Sequence, residues 1–144
     1  IALCPTSNLF LGSGLFDLDE LEQHGINLAL ASDVGGGDSF SMFDVMNQAY
    51  KICRLNDYNL DPVKAFYLTT LAAAKVLNIS DCLGNFESNK EADFIVLDLN
   101  ATELLTQRLK TASNINDLLF CLMTLGDDRL VSKVYILGQC AYQK

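Results

Sequence analysis

Apolar positions along this chain follow two rhythms. Short strand-length runs occupy residues 1–4, 26–31, 94–97 and 131–137, the last with Val134 and Ile136 facing one way and Tyr135 the other. Elsewhere the spacing is 3 and 4. Met42, Val45, Met46, Ala49, Ile52 and Cys53 predict a helix over 41–55, and Leu118 to Leu125 predicts another that ends at Gly126. Asp61-Pro62 opens a further helix carrying Ala65, Phe66, Leu68, Leu71, Ala72 and Ala74, which breaks at Asn78. Asp17 caps a short helix stopped by Gly25.

Strand 1–4 is closed by Pro5, and Thr6-Ser7-Asn8 is expected to form a polar loop at its C-terminal end. Residues 9–16, interrupted by Gly12 and Gly14, read as an irregular loop packed inward. Strand, helix and strand within the first 31 residues make a βαβ unit, whose two strands should run parallel. The strand at 94–97 is entered through Asn89-Lys90-Glu91, and Gly138-Gln139 turns the chain after the last strand. The pattern divides the chain in two: residues 1–78 as parallel βα units, and 79–144 as a β-rich region with one helix.

A length of 144 residues can bury a sizeable core, and half of them are apolar, which excludes a disordered tail. The chain starts with Ile1, directly in an apolar run, so it is expected to be cut from something longer. A net charge of −8 without any basic block argues against nucleic acid and against anionic membrane surfaces as partners. No apolar run is long enough to span a membrane. Five widely spaced cysteines without a CxxC pair point to reduced thiols and a cytoplasmic protein, not to a disulfide framework or zinc ribbon.

The chemistry concentrates at Ala29-Leu30-Ala31-Ser32-Asp33-Val34-Gly35-Gly36-Gly37. A buried strand ending in Asp33 delivers a carboxylate to the C-terminal edge of a parallel sheet, where α/β barrels place their active sites. The glycines permit a sharp turn or a close backbone approach there. Asp33 is therefore a candidate catalytic and metal-binding residue; the alternative is that Asp33 or Ser39 caps the next helix. Ser39 and Ser41 are read as such caps. Ser7 and Asn8 follow the first strand at the same edge and are candidate substrate-binding residues, or members of an Asx or Ser/Thr turn. His24, the only histidine, reads as a structural residue at a helix end. Asp127 and Asp128 read as a turn with a local ion pair to Arg129, and Gly35 to Gly37 lack the order of a phosphate-binding loop.

Cys4-Pro5-Thr6-Ser7-Asn8-Leu9-Phe10-Leu11-Gly12-Ser13-Gly14 resembles the seventh-strand segment of guanine deaminases, members of the amidohydrolase superfamily. Ser32-Asp33-Val34-Gly35-Gly36-Gly37 resembles their eighth-strand motif. Similar stretches are Ala65 to Leu71, Leu83-Gly84-Asn85-Phe86, Lys90 to Asp98 and Leu125-Gly126-Asp127-Asp128-Arg129. Asn89 stands where the superfamily usually has glycine, and Asp38 occupies a variable loop position.

The resemblance implies an α/β fold: the last two βα units of a (β/α)8 TIM barrel of the metallo-dependent hydrolase type over 1–78, with C-terminal strands of an appended β-sandwich over 79–144. It implies one zinc ion, Zn2+, per complete chain, with Asp33 as the only ligand that maps here; the histidines, the catalytic Glu and the guanine-contacting residues belong to segments upstream. It implies hydrolytic deamination of guanine to xanthine and ammonia in purine catabolism, Asp33 taking a proton from a zinc-activated water. The cytidine-deaminase elements HxE and PCxxC are absent. The partners implied are guanine and a second copy of the chain, as a homodimer. Two alternatives stay open: another superfamily deaminase or chlorohydrolase acting on cytosine, adenosine-like or triazine compounds, and a non-catalytic module. By itself the region is expected to hold no zinc, to be inactive, and to oligomerise or rearrange through open strand edges.

Overall fold

Strands β1 (Ala2–Leu3) and β2 (Ala29–Leu30) pair in parallel in the computed structural model, which describes residues 1–144; Ala2 lies opposite Ala29 and Leu3 opposite Leu30. The ladder is shorter than the apolar runs because Pro5 has no N–H and turns the chain into a helix directly after Cys4. That helix, α1 (Pro5–Leu11), corrects the expected polar loop at 6–8. Proline at the first helical position and Gly12 at φ +66°, with its N–H bonded to the Asn8 carbonyl, are the two ends of a helix signal. The inward packing expected for 9–16 is also corrected. Helix α1 buries Pro5, Thr6 and Ser7 in its first turn, while Leu9, Phe10, Leu11 and Leu15 are exposed.

Helix α2 (Leu18–Gln23) is capped by the Asp17 carboxylate, which accepts from the Glu20 N–H at 3.1 Å, and Gly25 follows at φ +66°. Helix α3 (Met42–Leu55) carries the expected stripe, with Val45, Met46, Ala49, Ile52 and Cys53 all buried. The helix expected from Pro62 is two: α4 (Pro62–Leu68) and α5 (Leu71–Val76). Thr69 and Thr70 both donate their hydroxyls to the Phe66 carbonyl, at 2.9 and 2.7 Å. Side-chain bonds of this kind compete with the helical ladder, and Thr70 leaves helical geometry at φ −127°, ψ −98°.

The remaining elements are β3 (Phe94–Leu97), α6 (Glu103–Leu109), α7 (Ile115–Leu125), a 3-10 turn at Asp128–Leu130, β4 (Val131–Ile136) and β5 (Gln139–Gln143). Helix α6 has only a short stripe to betray it, Leu105 and Leu109: Leu105 is its one fully buried residue, and Thr102 caps it by accepting from the Leu105 N–H. Asn114 caps α7, four residues before the apolar run begins at Leu118. The three strands form an antiparallel sheet in the order β3-β4-β5, and Phe94 stacks on Tyr135 with ring centroids 4.5 Å apart. The final turn lies one residue earlier than expected, at Leu137-Gly138 with φ +51° and +74°, the two-residue geometry that suits a twisted hairpin. It returns a polar, fully exposed strand, β5, that the apolar pattern does not reveal.

Helix α7 joins the two halves of the chain. Its Cys121, Leu122 and Met123 belong to the same buried cluster as Leu3, Leu30, Val45, Met46 and Leu68. Between α2, α3 and α4, Lys64 pairs with Glu22 and with the Tyr58 hydroxyl. Burial pushes the nearby Cys53 thiol up to about 11, opposed by Lys64 and reinforced by Asp17 and Glu22. Burial likewise raises Tyr58. On Lys64 burial opposes the charge, but hydrogen bonds to Glu22 and Tyr58 override it, so its pKa also rises.

Two outcomes are expected. Met123→Ala, at a fully buried position, should cost about 2–5 kcal/mol in a urea melt, whereas Leu104→Ala on the exposed face of α6 should stay within about 0.5 kcal/mol. All three raised groups hold protons in the folded state that the unfolded chain has lost, so stability should be full below pH about 9 and fall as pH rises toward about 11. Cys53→Ala should flatten that decline in melts run across the same range.

Candidate functional site

The parallel pairing of β1 with β2 sets the exits of both strands side by side, and the residues that follow them interlock. Thr6 donates its hydroxyl to the Ser32 carbonyl at 3.2 Å. Ser7 donates its hydroxyl to Asp33 Oδ2 at 2.8 Å. Both donors are buried, Ser7 at 4 % exposure, while the Asp33 carboxylate opens toward solvent. Asp33 Oδ1 accepts no hydrogen bond from the protein, so the two oxygens are distinguished: one is fixed, the other is free.

Asp33 stands in the left-handed region at φ +47°, a conformation that costs a non-glycine residue about 1–2 kcal/mol. The glycines after it hold it there. The N–H groups of Gly36 and Gly37 both donate to the Asp33 carbonyl, at 3.0 and 2.6 Å. Their lack of side chains is required by space. A Cβ on Gly36 would lie 2.7 Å from Asp33 Oδ2 and 3.0 Å from Ser7 Oγ. A Cβ on Gly37 would lie 2.4 Å from the Ser32 carbonyl oxygen and 3.0 Å from Thr6 Oγ1.

The pair opens into a cleft of about 460 Å³ lined by Cys4, Ser7, Asn8, Asp33 and the 11–16 segment. All three candidate site residues therefore reach one cavity. Asn8 is spent locally, donating its amide to Ser13 Oγ at 3.1 Å. Burial, and then the Asp33 charge, push the Cys4 thiol above its ordinary range, so it faces the cleft protonated. Thr6 was not among the residues singled out by sequence; Pro5 and Gly12 bracketing a helix would have placed it on the buried first turn.

Neither Asp33 nor Ser39 caps α3. Ser41 occupies the cap position without a side-chain bond, its Oγ is buried without a partner, and Ser39 Oγ accepts from the Ser41 N–H instead. Ser41 thus keeps the expected cap position but makes no side-chain cap bond, while the expectation for Ser39 is corrected: its hydroxyl accepts from the Ser41 N–H, ahead of the helix. His24 ends α2 and is not among the cleft residues. Asp127 binds Arg129 through both carboxylate oxygens, and that guanidinium holds its carboxyl below the usual range. No three His, Cys, Asp or Glu side chains in the chain come together as a metal-binding group. Asp33, with one oxygen free, is chemically suited to serve as a single donor.

Gly36→Ala should separate Ser7 from Asp33, because the new methyl occupies the space between them. The expected cost is about 1–3 kcal/mol, the range for inserting a methylene into packed structure, read as a lowered urea midpoint.

Residues 1–140 match the model of the amidohydrolase family. The chain is 44 % identical over 144 residues to guanine deaminase of Escherichia coli K12, covering all of this chain and 33 % of that protein. The chain thus spans about a third of the length of the curated relatives it matches. It superposes on the solved E. coli guanine deaminase with a TM-score of 0.97, over the whole chain and 34 % of that structure. The structure of a guanine deaminase from C. acetobutylicum with bound guanine in the active site is 28 % identical, with a TM-score of 0.81 over 99 % of this chain and 33 % of that one. An adenosine deaminase from Xanthomonas campestris with bound zinc is 25 % identical, with a TM-score of 0.80 over 96 % of this chain and 31 % of that one.

Proposed function

The chain belongs to the amidohydrolase family, and on that premise we propose that it contributes the Asp33 edge of a guanine deaminase active site, hydrolysing guanine to xanthine and ammonia. The observation that carries the reading is the Ser7–Asp33 pair, a carboxylate with one oxygen held and one free at the exits of two parallel strands. Identity of 44 % with a guanine deaminase across the whole chain supports guanine over other amino-bearing rings. The wider architecture that fits is a TIM barrel, with residues 1–78 supplying its last two βα units and 79–144 belonging to a β-sandwich.

Asp33 is the donor this chain would offer to a zinc ion, whose neighbours in the coordination sphere would come from residues outside these 144. Zinc, when bound, supplies Lewis-acid activation of water at neutral pH. The chain's own part is proton handling. Asp33 Oδ1, free of protein donors, accepts a proton from the attacking water and returns it to the departing amine. The balance is guanine plus water giving xanthine plus ammonia. The glycines let backbone lie against Asp33 without a side chain to displace it. Five free thiols support a reducing, cytoplasmic setting. The unpaired outer edges of β3 and β5 support association with a second copy as a homodimer.

The test uses the complete reading frame that carries this region: metal content, and ammonia release from guanine, adenine and cytosine. One zinc per chain and turnover of guanine alone are expected. Zinc with turnover of another base would replace the substrate, and no metal would return Asp33 to a structural role. Asp33→Asn should lower kcat by about 10²–10⁴-fold, the range for removing a positioned acid–base group.

A further inference from the structure

We propose that Ser7 is the positioning residue for Asp33: its buried hydroxyl holds Oδ2 so that Oδ1 alone is presented to the cleft. The inference rests on the reading of Asp33 as the reactive carboxylate and deepens it. A carboxylate on a χ2 rotor has two equivalent oxygens, and an exposed aspartate would present either one. Here the equivalence is broken by a single donor, Ser7 Oγ at 2.8 Å from Oδ2.

Three features make that donor dependable. Ser7 lies on the first turn of α1 at only 4 % exposure. The neighbouring Thr6 hydroxyl ties the same turn to the Ser32 carbonyl, fixing α1 against the strand exit. Gly36 carries no side chain where a methyl would sit 3.0 Å from Ser7 Oγ and 2.7 Å from Asp33 Oδ2, so nothing there displaces the bond. Ser7 lines the cleft but commits its hydroxyl to Asp33, so its proposed contribution is orientation.

Groups that orient a metal-binding or reacting side chain commonly matter by about 10–100-fold in metal affinity or activity. In the complete enzyme, Ser7→Ala should lower kcat by about 10–100-fold, with KM for guanine within about two-fold and zinc retention against a chelator weakened by a similar factor. Ser7→Cys keeps the side-chain shape, with a somewhat larger atom, but replaces a strong donor with a weak one. It should therefore resemble Ser7→Ala in kcat and in zinc retention. A packing role predicts the reverse: Ser7→Cys restored to parental values, and Ser7→Ala altered only in melting temperature. That result, or Ser7→Ala with kcat and zinc retention both within two-fold of the parent, would overturn the proposal. Should Asp33→Asn leave turnover intact, the reading of Asp33 fails first. A parental Ser7→Ala beside an inactive Asp33→Asn removes only the role of Ser7.

Discussion

Two pairs of strand residues hold the arrangement together. Ala2 against Ala29 and Leu3 against Leu30 bring together segments that are 27 residues apart, and the bonds from Thr6 and Ser7 to the Ser32–Asp33 exit follow from that register. A slip of β1 by one residue would exchange the buried Leu3 for exposed Ala2 or the residue beyond it and move Ser7 away from Asp33. Such a short ladder is weak by itself. It is fastened at the exits by the Thr6 and Ser7 hydroxyls, and buried from outside by helices whose apolar stripes close over it.

Helix α7 connects this edge to the rest of the molecule. It arrives after β3, yet packs its buried face into the cluster shared by α3 and α4. Gly126 at its end lies against the Phe43 ring and the Leu122 carbonyl, where a Cβ would meet atoms at 2.9 and 2.3 Å. The antiparallel sheet is thereby tethered to the helical part through side-chain packing, with no strand passing between the two sheets.

Much of this was legible in the residues. The stripe from Met42 to Cys53, the Asp17 and Asp61 caps, and the parallel βαβ start are local patterns with one strong reading each. The place of Asp33 at a strand exit was legible because a carboxylate ends an apolar run and glycines follow. Helix α1 was read as loop because polar Thr6, Ser7 and Asn8 mask a helix whose real signals are Pro5 and Gly12. The break at Thr69-Thr70 was hidden by an apolar pattern that continues across it, while the threonine hydroxyls decide the backbone. Helix α6 and strand β5 have almost nothing to bury, so hydrophobic periodicity cannot report them. The bond between Ser7 and Asp33 lies beyond any local pattern, since it exists only once the strands have paired.

Under the role proposed for Asp33, its left-handed backbone sets selection for stability against selection for chemistry. Glycine or asparagine would sit at φ +47° with less strain than aspartate, and either would remove the ionisable oxygen. A library screened for heat resistance alone would therefore drift toward those residues at position 33. The most robust variants it yielded would be chemically silent there, as expected where a site stores backbone strain.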